Sequence, residues 1–161
     1  MLRLRLALRL HYPLAGTKAM KIKEIQLLNF GELETDEEFH EATNNSPSGY
    51  FLRPERISFI KLTDKLKAVK GLKFGIEYLV NGFSDEMDDV EFICKITHPT
   101  LINPETGTIS NQTIDKKINY LNQNNFDYYC FEYDWEMVIG TWTFEILEEQ
   151  KLLLKKEFEI K

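Results

Sequence analysis

Apolar residues recur at every second position in several segments of this 161-residue chain. The alternation is clearest in GLKFGIEYLVNG at residues 71–82 and in VEFICKITH at residues 90–98. Because successive side chains of a β-strand point to opposite faces, this period indicates half-buried strands. The expected core positions are Leu72, Phe74, Ile76, Tyr78 and Val80 in the first segment and Val90, Phe92, Cys94 and Ile96 in the second. We interpret the acidic run between the two segments as the solvated loop of a hairpin, since its carboxylates lack the spacing of a calcium loop.

The C-terminal third has the same period. Trp142, Phe144 and Ile146 share one face, and Leu152, Leu154, Phe158 and Ile160 resume one parity after a polar turn, which predicts a second hairpin. QTIDKKINYLNQNN at residues 112–125 fits a short helix or an edge strand. About seven or eight short strands with few helical signals predict an all-β fold, an antiparallel β-sandwich with room for one short helix.

The first 19 residues differ in composition from the rest. They carry Arg3, Arg5, Arg9 and Lys18 and no acidic residue, whereas the net charge of the whole chain is −6. We interpret residues 1–19 as a vector-derived leader or the product of an over-extended start site. Their Leu/Arg alternation also fits an amphipathic strand or a membrane-surface peptide. Residues 20–161 are then expected to form a single domain.

The charge balance bears on the partners of that domain. Residues 20–161 are strongly acidic, and polyphosphate binding depends on clustered lysine and arginine. Neither nucleic acid nor a membrane is therefore expected as a partner. No apolar run approaches the roughly 20 residues that cross a bilayer, and we expect a cytoplasmic protein.

The segment FEYDWEMVIGTWTFEI, residues 131–146, contains two carboxylates that could form a catalytic pair. On a strand, Asp134 and Glu136 would share one face about 6.6 Å apart, near the spacing of inverting glycosidases. Tyr133 and Trp135 take the opposite parity and are the better core candidates. A solvated strand face does not raise the pKa of an acid. A hydrolase that uses Asp134 and Glu136 is thus the least favoured of the functions considered.

Other catalytic chemistry is not indicated. His98 precedes Pro99 at the expected end of a strand and is interpreted as a turn or surface residue. The chain has no metal-ligand spacing, no G-x-S-x-G motif and no phosphate loop, so we expect no metal, no cofactor and no enzyme activity. Cys94 and Cys130 fit two free thiols in a reducing cytoplasm or an inter-sheet disulfide.

Two arginines are the best candidates for ligand binding. Arg53 and Arg56 lie in YFLRPERISF, residues 50–59, and could bind a carboxylate or phosphate bidentately in a cleft that Tyr50 and His98 also line. The alternative is that each arginine pairs with an acid across a sheet edge.

Three segments resemble the small bacterial family filed as domain of unknown function 3859. They are RPERISFIKLTDKLKAVKGLKFGIEYLVNG (residues 53–82), HPTLINPETG (98–107) and YDWEMVIGTWTFEILEEQKLLLKKEFEI (133–160). The most specific piece is the run D-W-E followed by G-x-W-x-F-E-I. The resemblance implies an immunoglobulin-like β-sandwich and implies no known activity.

Together these observations favour a non-enzymatic interaction domain whose loops or edge strand bind a protein partner that the sequence does not identify. A homo-oligomer is compatible with this hypothesis. A small-ligand or carbohydrate-binding module is the alternative.

Overall fold

The alternating segments form strands in a computed structural model, which describes residues 18–161. The predicted leader lies outside the described residues except for its last two positions. The described strands are β1 (Ile22–Thr35), β2 (Glu38–Ala42), β3 (Tyr50–Pro54), β4 (Ile57–Lys61), β5 (Lys65–Leu66), β6 (Lys73–Gly82), β7 (Asp89–Ile102), β8 (Ile109–Tyr120), β9 (Gln123–Cys130), β10 (Gly140–Glu148) and β11 (Lys151–Ile160). One 3₁₀ turn lies at Asp134–Glu136. Within residues 18–161, no helix has the length and apolar character needed to cross a membrane.

Two sheets account for nine of these strands. The first has the order β4-β1-β6-β9 and is antiparallel throughout. The second has the order β5-β11-β10-β7-β8 and is antiparallel except for the short β5–β11 pair. Strands β2 and β3 form a separate hairpin. The predicted antiparallel β-sandwich is confirmed. The strand count exceeds seven or eight because β2 to β5 have only two to five residues each and give little periodic signal.

The core lies between the two sheets, where every second residue of the central strands is buried. All nine positions that the alternation in β6 and β7 predicts are buried. The ring of Phe74 lies at the centre, with edge contacts to the aromatic rings of Phe131, Trp142, Phe144 and Phe158 at centroid distances of 5.4–5.9 Å. Burial of each such ring stabilises the fold by about 1.5–3 kcal/mol, so this aromatic cluster holds the sheets together.

The strand pairing decides which of the two predicted hairpins exist. The β10–β11 hairpin is confirmed, with Trp142 opposite Phe158. The acidic run after β6 is not a hairpin loop, because it links β6 in the first sheet to β7 in the second. Two strands that face each other across a sandwich alternate in the same way as two paired strands. Periodicity therefore does not distinguish the two arrangements.

The ambiguous segment at residues 112–125 is strand, not helix. Its first part belongs to β8, which is the edge strand of the second sheet, and its last part opens β9 at the edge of the first. The first sheet also contains a close backbone approach. A Cβ atom on Gly75 of β6 would lie 2.1 Å from the backbone oxygen of Asp127 on β9, so this position requires glycine.

A buried carboxylate joins the start of the first sheet to the second. Glu148, at the end of β10, accepts hydrogen bonds from the backbone amides of Lys21 and Ile22 at 2.7 and 2.9 Å. Ile22 is the first residue of β1 and is itself buried. The contact fixes the entry of the chain into the sandwich.

Candidate functional site

Strands β8 and β9 follow each other in the chain but lie at the edges of different sheets, so the sandwich is open between them. Side chains bridge this opening. The Lys117 ammonium of β8 donates to the Asp127 carboxylate and to the backbone oxygen of Phe126, both on β9, at 2.7 and 2.8 Å. Nearer the turn, the amide of Asn119 donates to that of Asn125. Polar side chains therefore take the place of a backbone ladder here.

The β2–β3 hairpin forms a third wall of this opening. The backbone amide of Ile114 on β8 donates to the carbonyl oxygen of Asn45 in the hairpin loop at 3.1 Å. Arg53 of β3 forms a bidentate pair with Asp115 of β8, at 2.6 and 3.0 Å, and also bonds Glu41 of β2 at 2.9 Å. Strands β3, β8 and β9 thus enclose a cleft of about 630 Å³, within the size range of small-molecule sites. We call it the β8–β9 cleft.

Charged groups at the floor of the β8–β9 cleft are paired with one another. Asp115 and Asp127 are buried, the first held by Arg53 and the second by Lys117 and by the Tyr78 hydroxyl at 2.6 Å. Burial raises the pKa of Asp127, and the Lys117 ammonium opposes that rise. The hydrogen bonds that Arg53 donates to Asp115 raise the pKa of Arg53. Because a buried charge is stable only when it is paired, these contacts are structural requirements of the floor.

The ligand residues predicted from the sequence do not all meet. Tyr50 and Arg53 line the β8–β9 cleft. Arg56 lies elsewhere on the surface and pairs with Asp36. His98 is only 4% exposed and its ring packs against that of Trp142 at 4.8 Å, so the prediction of a surface histidine was wrong. Strand β7 continues past His98 to Ile102, although a proline follows His98, because a register irregularity between residues 97 and 101 accommodates it.

Tyr50 connects the hairpin to the segment after β9. Its hydroxyl donates to the Glu132 carboxylate at 2.7 Å and lies 3.0 Å from the Tyr133 hydroxyl, while its ring stacks on His40 at 4.2 Å. Burial, together with the hydrogen bond to Glu132, raises the pKa of Tyr50.

The sequence left open whether the two arginines bind a ligand or pair with acids of the protein. In the structure Arg53 pairs with Glu41 and Asp115.

Two residues that line the β8–β9 cleft, Thr113 and Tyr128, have a buried hydroxyl without a hydrogen-bond partner. Among residues 18–161, three buried side-chain polar atoms are unpaired: His98 Nε2, Thr113 Oγ1 and the Tyr128 hydroxyl. Thr113 lies on the inward face of β8 opposite Ile96, is 5% exposed and lines the cleft. An unpaired buried hydroxyl costs about 1–3 kcal/mol. The sequence analysis missed Thr113, because a single threonine in a strand carries no signal of its role.

The carboxylates of the D-W-E run are not a catalytic pair on a strand face. Asp134 and Glu136 lie in the 3₁₀ turn, where the Asp134 side chain is 82% exposed and Glu136 is 2% exposed. Glu136 accepts hydrogen bonds from the backbone amides of Glu132 and Tyr133 and from the Tyr129 hydroxyl, at 2.8–3.0 Å. Burial raises the pKa of Glu136, and these three donors oppose the rise. Its role in the structure is to satisfy the donors of the turn.

Two aromatic residues beside these carboxylates were also expected in the core. Tyr133 is exposed, and Trp135 is half-buried and stacks on Tyr133 at 5.5 Å. The prediction was wrong for Tyr133, because the chain leaves the strand geometry after Cys130 and alternation no longer shows which side faces the core, whereas Trp135 does pack against the core. In contrast, Trp142 is fully buried and its indole donates to the carbonyl of Val138.

Both cysteines are free thiols in the structure. Cys94 is buried in β7 and Cys130 is partly buried at the end of β9. Burial raises the pKa of each, that of Cys130 to about 12. The thiolate is the reactive form, so these cysteines are poor nucleophiles near neutral pH. In the described part of the chain, no group of three or more histidine, cysteine or acidic side chains could hold a metal ion.

Comparisons with known proteins agree with this architecture. The crystal structure of an immunoglobulin-like protein from Pseudomonas aeruginosa superposes with a TM-score of 0.60 at 20% sequence identity, covering 86% of this chain and 97% of that one. This likeness shows the fold alone. A search of curated proteins returned no match. The family model described as Domain of unknown function (DUF3859) matches residues 21–160. The chain therefore belongs to the DUF3859 family and has its immunoglobulin-like β-sandwich.

Proposed function

We propose that this domain is a non-enzymatic binding module and that the β8–β9 cleft receives a small polar ligand. The observation that carries the proposal is the unpaired hydroxyl of Thr113, which is buried at the wall of a cleft large enough for a small molecule. Buried polar groups in folded proteins are nearly always hydrogen-bonded. A ligand that forms a hydrogen bond with the Thr113 hydroxyl would supply the missing partner, and this bond would contribute to its affinity.

The other polar groups of the cleft support binding over catalysis. Asp115 and Asp127 are each tied to a cation, and Glu136 is tied to three donors. A general acid or base must be free to exchange a proton with a substrate. These three carboxylates already serve the fold, which supports a role in recognition over a role in proton transfer.

A thermal-shift screen of small polar compounds, run in parallel on three proteins, tests the proposal. Thr113→Val removes the hydroxyl at nearly constant shape, and Thr113→Ser keeps it. Without ligand, Thr113→Val should melt at the same temperature as the wild type or higher, because an unpaired buried hydroxyl is lost. Compounds that raise the melting temperature of the wild type should also raise that of Thr113→Ser and should leave that of Thr113→Val unchanged. Equal stabilisation of all three proteins would contradict the proposal.

A protein partner at the edge of β8 is the second candidate, and it follows from different residues. Ile118 and Tyr120 are 71% and 53% exposed on this strand. Within residues 18–161, β8 pairs with β7 on one side, while the hairpin loop meets its other side near Ile114. The remaining edge offers backbone groups to an added strand. A photoreactive residue at position 118 should give a discrete cross-linked product, and one at the exposed Val69, which lies between β5 and β6 outside any strand, should not.

A further inference from the structure

We infer that the ligand of the β8–β9 cleft is polyhydroxylated and carries no negative charge, with saccharides as its chemical class. This inference rests on the proposed function and adds the chemistry of the ligand. It follows from which charges and hydrogen-bonding groups of the cleft are already occupied.

The cations of the cleft are not available to an anionic ligand. The Arg53 guanidinium is held by Asp115 and Glu41, and the Lys117 ammonium by Asp127 and the backbone oxygen of Phe126. A phosphate or carboxylate would have to displace a bonded carboxylate and leave it buried without a partner, which is strongly unfavourable. Lys116 lies between the inward-facing Asp115 and Lys117 and is exposed, so its side chain belongs to the opposite face of β8.

The carboxylates of the cleft outnumber its inward-facing cations. Asp115 and Asp127 are bonded to those two cations, and Asp127 also accepts from the Tyr78 hydroxyl. Glu132 accepts from the Tyr50 hydroxyl, and Glu136 accepts from three donors, all of them uncharged. This excess of carboxylates selects against anionic ligands and leaves neutral ligands as the class that needs no new charge pair.

The remaining capacity suits hydroxyl groups. Thr113 Oγ1 can donate one hydrogen bond and accept others, and none of this capacity is used within the protein. Amide side chains at the rim, Gln123 and Asn124, are exposed and also offer both donors and acceptors. A sugar hydroxyl likewise donates and accepts. The ring of Phe51 lies on the same face of β3 as Arg53, whose guanidinium covers one side of it, and it adds apolar surface for the C–H face of a sugar ring.

Matched sugars that differ in charge test the inference. Glucose, glucuronate and glucosamine share one ring and carry charges of zero, minus one and plus one at neutral pH. They are titrated, with a panel of neutral pentoses, hexoses and their disaccharides, into ¹⁵N-labelled protein, and the amide signals of residues 113–117 and 125–129 are followed. Neutral sugars should shift these signals in a saturable manner. Glucuronate should bind at least about tenfold more weakly than glucose or its best neutral relative, and glucosamine should not be weakened in this way.

The variants at Thr113 separate this inference from the proposed function. Thr113→Val should weaken binding of neutral sugars by about tenfold or more, and Thr113→Ser should keep it within about threefold. Tighter binding of glucuronate than of the neutral sugars at the same residues would overturn the inference that the ligand carries no negative charge. The inference would also be overturned if no neutral sugar shifted the signals while compounds of another class stabilised the wild type but not Thr113→Val. Under either of these two outcomes the proposal that the cleft binds a ligand would still stand. If no compound distinguishes the wild type from Thr113→Val, both proposals are overturned.

Discussion

Replacing Glu136 by alanine is expected to remove a large part of the free energy of unfolding. The substitution leaves three hydrogen-bond donors without their acceptor: the backbone amides of Glu132 and Tyr133 and the hydroxyl of Tyr129. A buried donor without a partner costs about 1–3 kcal/mol. The two amides are partly buried and are reached by water once the side chain is shortened, so we expect a total loss of about 3–5 kcal/mol. Domains of this size are stable by only about 5–15 kcal/mol.

Two further substitutions make the prediction specific. Glu136→Gln keeps a carbonyl oxygen for the two backbone amides, and its NH₂ group can donate to the Tyr129 hydroxyl, which then acts as acceptor. The expected loss is about 1 kcal/mol. Asp134→Ala removes only an exposed contact with Lys70, at 3.4 Å, and should change the stability by less than about 0.5 kcal/mol.

Urea unfolding followed by tryptophan fluorescence measures all three changes, because Trp135 and Trp142 lie near the turn. The expected order of destabilisation is Glu136→Ala far above Glu136→Gln, and Glu136→Gln above Asp134→Ala. A Glu136→Ala protein within about 1 kcal/mol of the wild type would refute the structural role that we assign to this carboxylate. A loss of similar size from Asp134→Ala would refute the assignment of that residue as a surface group.

Three other outcomes follow from buried groups. Burial lowers the pKa of His98, so the unfolded chain binds one more proton than the folded chain below about pH 6.5. The free energy of unfolding should therefore decrease as the pH is lowered through this range, by at most about 1.4 kcal/mol per pH unit. His98→Gln should show a smaller loss than the wild type in urea unfolding between about pH 7.5 and 5.5. Gly75→Ala forces a methyl group against the Asp127 carbonyl and should cost about 2 kcal/mol or more, read from the urea midpoint. Glu148→Ala leaves the amides of residues 21–22 without an acceptor, and hydrogen exchange at those amides should accelerate while a Glu148→Gln control stays close to the wild type.

The sheets were largely predictable because burial on one face imposes a period of two. Every core position expected in β6 and β7 is buried, and the final hairpin pairs as expected. The pairing between strands was less accessible to prediction. The connection from β6 to β7 crosses between sheets, and the short strands β2 to β5 carry too few residues to show a period.

The cleft was predictable only in part, because its residues come from distant segments. Arg53 and Asp115 are 62 positions apart, and nothing local in either segment indicates that they pair. The D-W-E run was misplaced for another reason. Its aromatic residues alternate with acids as on a strand, but the chain forms a 3₁₀ turn there, and the buried Glu136 accepts hydrogen bonds from the backbone.

The position of β11 has a consequence for how this protein is made. Its residues Phe158 and Ile160 are buried, and it lies between β5 and β10 in the second sheet. All strands of the first sheet are synthesised by residue 130, and β7 can already cover part of their apolar face, but the part that β10 and β11 cover stays open until residues 140–160 are available. At about 5–20 residues per second, a nascent chain waits roughly 2–6 s in this state. During that interval the exposed aromatic face is a target for chaperones, and a translational pause before β10 would prolong the exposure.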